Sequence, residues 1–120
     1  MASDFNELEL AILEWFNHTY ANSQIAAQIE SARFLNRDWT KVGFYVYFEV
    51  SRELEPINLD DFDGQYAIDG PFLISDDIQH GGGTVLFITD GYIDCIEMYS
   101  FGYFFNETVN RFELVSDPPK

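Results

Sequence analysis

The sequence is expected to fold as an α+β domain, with two N-terminal helices packed on one face of an antiparallel sheet of about five strands. Three observations predict this. Apolar residues recur at helical spacing to about residue 34, alternate over residues 41–50, and flank an Asp-Gly pair at residues 90 and 91. A run of helices followed by a run of strands is the pattern of α+β folds. At 120 residues the chain fits one domain, residues 1–120, with helices over about 4–34 and sheet over about 41–116.

The first helix is expected from Asp4 to about Tyr20. Leu8, Ala11, Ile12, Trp15, Phe16 and Tyr20 form one stripe, with Glu7, Glu9, Glu14 and Asn17 off it and able to face water. Asp4 with Glu7 forms a loose capping pair, with Ser3 as a competing cap. Asn22-Ser23 offers a stop and a new N-cap, and Ile25, Ala26, Ile29 and Ala32 continue the period to about Phe34. Asn36, Arg37 and Asp38 then look like a connection.

Residues 41–50 are β-branched and aromatic almost throughout. Val42, Phe44, Val46, Phe48 and Val50 fall on one face, the core side, and Tyr45, Tyr47 and Glu49 on the other. Tyr66 to Ile74 is a weaker strand interrupted by Gly70-Pro71, which suggests an edge or a bulge. Thr84–Thr89, Asp90-Gly91 and Tyr92–Tyr99 form the clearest hairpin, because Asp-Gly supplies the positive φ angles of a type I′ turn. With that two-residue loop Thr89 faces Tyr92, Phe87 faces Asp94 and Val85 faces Ile96, while Leu86, Ile88, Ile93 and Cys95 form the core side. Glu97 then lies beside Cys95, and Asp94 on the opposite face. A last strand is expected from Val109 to Val115, ending before Asp117-Pro118-Pro119.

No catalytic or cofactor motif emerges. His80-Gly-Gly-Gly83 could supply oxyanion-hole amides, but no Gly-x-Ser-x-Gly elbow accompanies it, so a glycine-rich turn is expected. Cys95 has Asp94, Ile96 and Glu97 as neighbours, which disfavour a thiolate. His18 and His80 have no evident partner. Asp60, Asp61 and Asp63 with Gly64 could ligate calcium, but Leu59 stands where an EF-hand needs its first ligand and Gly70 where it needs the closing glutamate. An acidic solvated loop is expected there instead. No metal, no cofactor and no enzymatic activity are expected. Asp94 and Glu97, three apart on a strand, should point to opposite faces and form no acid/base dyad. The triplets Asn17-His18-Thr19 and Asn106-Glu107-Thr108 match a glycosylation pattern only by chance, because no signal peptide or membrane span is readable. A cytoplasmic location is expected.

Charge gives the strongest functional clue. Twenty-one acids oppose six bases, a net of −15, in a chain that is 47% hydrophobic and 18% aromatic. A disordered acidic tail lacks that apolar content, so the charge coats a folded core. Residues 51–80 hold Glu53, Glu55, Asp60, Asp61, Asp63, Asp69, Asp76 and Asp77 against Arg52 alone, a net of −7. Arg33, Arg37, Lys41, Arg52, Arg111 and Lys120 are too scattered to bind a phosphate backbone, and the loosely grouped first three should balance local acids. A basic protein partner is expected, and neither nucleic acid nor membrane.

Two blocks carry a family resemblance. Gln28, Ile29, Ala32, Arg37, Thr40, Val42-Gly43-Phe44 and Phe48-Glu49-Val50 form one; Gly82–Ile88, Asp90–Ile93 and Ile96–Gly102 form the other. Together they cover less than half of the chain, which resembles small acidic bacterial α+β proteins of unknown function, some regarded as immunity proteins of toxin systems. Lys41 departs from the pattern, where a small residue is expected. The resemblance implies the fold and a bacterial origin more than a function; the placement of the charge leads to the expectation of an immunity-type protein that neutralises a basic toxin, a nuclease foremost, by covering its active or substrate-binding surface. The acids of residues 51–80 would supply charge, and Tyr45, Tyr47, Tyr66, Tyr103 and Phe104 would supply anchors. The competing expectations are a phage-encoded inhibitor or DNA mimic, a small enzyme with a concave carboxylate site, and a scaffold or oligomer joined through the aromatic face of residues 41–50.

Overall fold

The structure is a computed structural model and describes residues 4–102, 109 and 111–117, apart from the side chain of Gln79. Two helices, α1 (Glu7–Tyr20) and α2 (Ser23–Ser31), precede seven strands: β1 (Arg33–Trp39), β2 (Gly43–Glu49), β3 (Ala67–Asp69), β4 (Phe72–Ser75), β5 (Ile78–Thr89), β6 (Tyr92–Ser100) and β7 (Glu113–Val115). The strands form one antiparallel sheet in the order β1-β2-β6-β5-β4-β7. β3 pairs with the second half of β5 and β4 with its first half. The α+β class is as expected, with seven strands in place of about five.

The α1 stripe buries Leu8, Ile12 and Phe16, together with Leu13 from beside it. Its cap differs from expectation. Asn6 is the N-cap, and its side chain accepts from Glu9 N at 2.8 Å while Glu9 Oε1 accepts from Asn6 N at 2.9 Å. Glu9, expected to face water, is 0% exposed. α2 begins as expected at Asn22, whose Oδ1 accepts from the Gln24 and Ile25 amides.

The sheet starts at Arg33, so the expected connection at Asn36–Asp38 is an edge strand, β1. A register shift between Phe34 and Asn36 turns Leu35 out to 51% exposure. With that extra residue Phe34, Arg37 and Trp39 pair with Phe48, Val46 and Phe44, all on the core side. Phe44, Val46, Phe48 and Val50 are buried as expected, but Val42 precedes the strand and is 44% exposed. The strand expected over residues 66–74 is interrupted, as foreseen, at Gly70-Pro71, giving β3 and β4. His80–Gly83 lies inside β5 and is not a turn preceding it; His80 and Gly81 at φ 67° and 73° kink the strand where its register to β4 shifts. Of the last expected strand only Glu113–Val115 is a strand among the described residues.

Asp90 and Gly91 have φ of 54° and 87°, and Thr89 pairs with Tyr92 across the expected two-residue turn. Beyond it a bulge at Asp94 changes the pairing. Ile88 faces Ile93, but Phe87 faces Cys95, Leu86 faces Ile96 and Val85 faces Glu97. The core side is therefore Leu86, Ile88, Ile93, Ile96 and Met98, each 3% exposed or less. Cys95, expected there, belongs to the opposite face with Glu97.

Candidate functional site

The expected partner-binding residues fall in several places. Glu53 and Glu55 lie on the connection after β2, which is tied to α2 by Gln24 Nε2 donating to Glu55 Oε2 at 3.3 Å. Asp60 and Asp61 lie on a 3-10 turn, Leu59–Phe62, closed by Asp63 at φ 55° and anchored by Phe62 against Tyr20 with ring centroids 5.5 Å apart. Asp76 and Asp77 form the β4–β5 turn, where Asp77 N donates to Ser75 Oγ. Tyr66, beside β3, is 69% exposed. The acids of residues 51–80 thus do not make one patch. Tyr103 and Phe104 lie outside the described residues, as do Ser3 and Asn106.

Tyr45, Tyr47 and Asp69 have a different setting, Asp69 pairing with Val85, which in turn pairs with Glu97. The buried side chains of α1 and α2 join the core on one face of the sheet. On the other face Tyr45 pairs with Asp38 on β1 and Glu97 on β6, and Tyr47 pairs with Cys95. The Tyr45 and Tyr47 rings stand nearly parallel, with centroids 6.3 Å apart at 17°. Asp94 joins them through its bulge, held by Thr89 Oγ1 donating to Asp94 Oδ2 at 2.7 Å. Tyr99 continues the row, packing edge-on against Phe101, which meets Phe72. Tyr47 is 37% exposed and Phe101 45%, and among the described residues no helix covers this face.

The ionisation of this face follows from its crowding with acids. Hydrogen bonding to the Glu97 carboxylate, and that charge itself, raise the Tyr45 hydroxyl above its ordinary value. Tyr47 is raised by burial of its hydroxyl and then by Cys95, Asp38, Asp94 and Glu97. Burial first, then Asp69 and Glu97, raises Tyr99. Cys95, 6% exposed, is pushed up to about 12 by burial and then by Asp94 and Glu97. These shifts keep hydroxyls and thiol neutral, so at neutral pH the charge here is that of the carboxylates. Asp38, Asp69, Asp94 and Glu97 make no ion pair among the described residues; Arg33 pairs with Glu49, and Arg37 with Glu9. Those two pairs are the local balancing expected of Arg33 and Arg37.

The spacing rule that separated Asp94 from Glu97 fails because of the bulge. Both stand on the tyrosine face, and the sequence carries no signal for the extra residue. Among the described residues no three His, Cys, Asp or Glu side chains converge as metal ligands, and no helix is long and apolar enough to cross a membrane. A concavity of about 710 Å³ between α1 and α2 is lined by Phe5, Leu10, Leu13 and Ile29, with Glu14 and Glu30 as its acids. Fold and site together define an α+β protein with one half of its sheet surface left as an aromatic, carboxylate-rich face. No protein-family model matches the chain, and comparisons with curated proteins and with solved structures return no match.

Proposed function

We propose that this chain is a cytoplasmic, immunity-type binding protein that neutralises a basic bacterial toxin, a nuclease foremost, by covering its substrate-binding surface. It acts by contact and carries out no catalysis. The single observation that carries this reading is the tyrosine face, whose four carboxylates Asp38, Asp69, Asp94 and Glu97 have no cationic partner among the described residues. Aromatic side chains provide contact area at low entropic cost, and uncompensated carboxylates select a cationic surface. The other acids of residues 51–80 lie on turns and connections outside this face and add long-range attraction, which raises the association rate.

The reading predicts a basic nuclease encoded beside this gene, and the test mixes that product with this chain. A 1:1 complex is expected that weakens steeply as salt is raised, and that is lost when Asp94→Lys and Glu97→Lys are combined in a chain of unchanged circular dichroism. Failure to form a complex, or a complex indifferent to those two reversals, overturns the reading.

A further inference from the structure

Arginine already meets aromatic rings and carboxylates inside this fold. The Arg37 guanidinium carbon lies 4.9 Å from the Phe34 ring centroid while its nitrogens reach both oxygens of Glu9 at 2.5 and 2.6 Å. The Arg52 guanidinium carbon lies 4.4 Å over the Tyr92 ring. On the tyrosine face the same ingredients stand without the cation. Tyr45 and Tyr47 present nearly parallel rings, with Asp38 on the neighbouring strand at one side and Asp94 and Glu97 at the other. Thr89 Oγ1 donates to Asp94 Oδ2, which fixes that carboxylate's direction and leaves acceptor positions open.

We propose that this face accepts arginine side chains of the partner in preference to lysine, each guanidinium stacking on a tyrosine ring while it donates to Glu97, Asp94 or Asp38. The inference rests on the binding role proposed above and names its chemistry. A planar guanidinium can stack and donate a fork of hydrogen bonds at once; an ammonium is a strongly hydrated point charge that does neither well. Three acids flanking two rings are therefore a site for shape as well as for charge. The occupant is an arginine-bearing protein segment, and the −15 charge of the chain disfavours a second copy of itself.

Two probes of equal charge decide it: acetylated, amidated hexaarginine and hexalysine, titrated into the full chain while tyrosine ring and backbone amide resonances are followed. Hexaarginine is expected to shift the Tyr45 and Tyr47 rings and to bind roughly fivefold more tightly than hexalysine. Tyr47→Ala should bring that ratio close to one with little change for hexalysine, and Tyr47→Phe should preserve it. Equal affinities, with shifts still centred on this face, overturn the arginine preference and leave the binding face standing. Shifts confined to residues 53–63 and 76–77 overturn both. An unchanged amide spectrum away from Tyr47 shows that the variants are folded.

Discussion

The Glu9 carboxylate is fully buried and grips the Arg37 guanidinium with both oxygens, Oε2 to Nε at 2.5 Å and Oε1 to Nη2 at 2.6 Å. Glu9 also closes the capping box of α1, and Arg37 also donates to the Asp4 carbonyl, so one pair joins the helix start to edge strand β1. Removing the cation leaves a buried charge with no counter-ion. Arg37→Ala is expected to cost about 3–5 kcal/mol, while replacing both partners with leucine should cost much less, because no charge is then stranded. Urea unfolding of the two variants measures the difference. The exposed Arg33–Glu49 pair is the internal control, expected to give about 0–1 kcal/mol when Arg33 is truncated.

Gln28 does comparable work at the other end of the sheet without a charge. Fully buried, its Nε2 donates to the carbonyls of Glu55 and Gly91 at 3.1 and 3.0 Å, and its Oε1 accepts from Ile93 N at 2.9 Å. It thereby locks α2 to the β5–β6 turn and to the connection after β2. Gln28→Leu fills similar space but takes the Gln28 partner from the Ile93 amide and the Glu55 carbonyl, while the Gly91 carbonyl keeps the Ile57 amide, at a cost of about 1–3 kcal/mol. Hydrogen exchange at Ile93 should accelerate more than exchange at Val46, which lies in the middle of β2. Equal acceleration at both sites would point to global loosening and against a local lock.

These two residues mark the boundary of what the sequence discloses. Local periodicity is enough for the α1 stripe, the inward face of β2 and the Asp90-Gly91 turn, because each depends on neighbours a few positions away. Glu9 looks solvated until Arg37, 28 positions distant, is brought against it. Strand β1 is hidden because its inward residues Phe34, Arg37 and Trp39 alternate only after the register shift at Leu35 is counted. The bulge at Asp94 acts the same way on the site. A one-residue change in register moves every later side chain to the other face, so Cys95 and Glu97 leave the expected core and join Tyr45 and Tyr47. The tyrosines were legible as a surface; the carboxylates that share it were not.

Cys95 should make the fold sensitive to alkali. Burial, then Asp94 and Glu97, raises its thiol from 9.0 to about 12. The folded state therefore favours the neutral thiol. Its contribution is complete below pH 9 and is lost as pH climbs from there toward 12, because the unfolded chain releases its proton first. Between about pH 8 and about pH 10.5 the loss amounts to about 2 kcal/mol. Cys95→Val keeps a small apolar group in place and should abolish that part of the decline, leaving only the part due to Tyr20, Tyr45, Tyr47 and Tyr99, which are raised in both proteins. Urea midpoints of the two chains across this range isolate the thiol; parallel curves would show that Cys95 ionises as freely folded as unfolded.

At Gly43 strand β2 lies directly against the main chain of β6. A Cβ built there would lie 1.9 Å from the Met98 carbonyl oxygen and 2.9 Å from Tyr99 Cα, so no side-chain rotation can make room. The two strands must separate, and their register carries Tyr45 against Glu97 and Phe44 against Met98. Gly43→Ala is therefore expected to destabilise by more than about 3 kcal/mol, in the range of severe backbone and packing changes. It should also alter the tyrosine face before the chain unfolds, because that face depends on the β2–β6 register. Gly64→Ala supplies the comparison. Nothing lies within 4 Å of its added methyl, and only its φ of +74° opposes the change, which limits the cost to about 1–2 kcal/mol. Ring resonances of Tyr45 and Tyr47 are expected to move in Gly43→Ala and to stay in Gly64→Ala; the reverse would place the weak point of the sheet elsewhere.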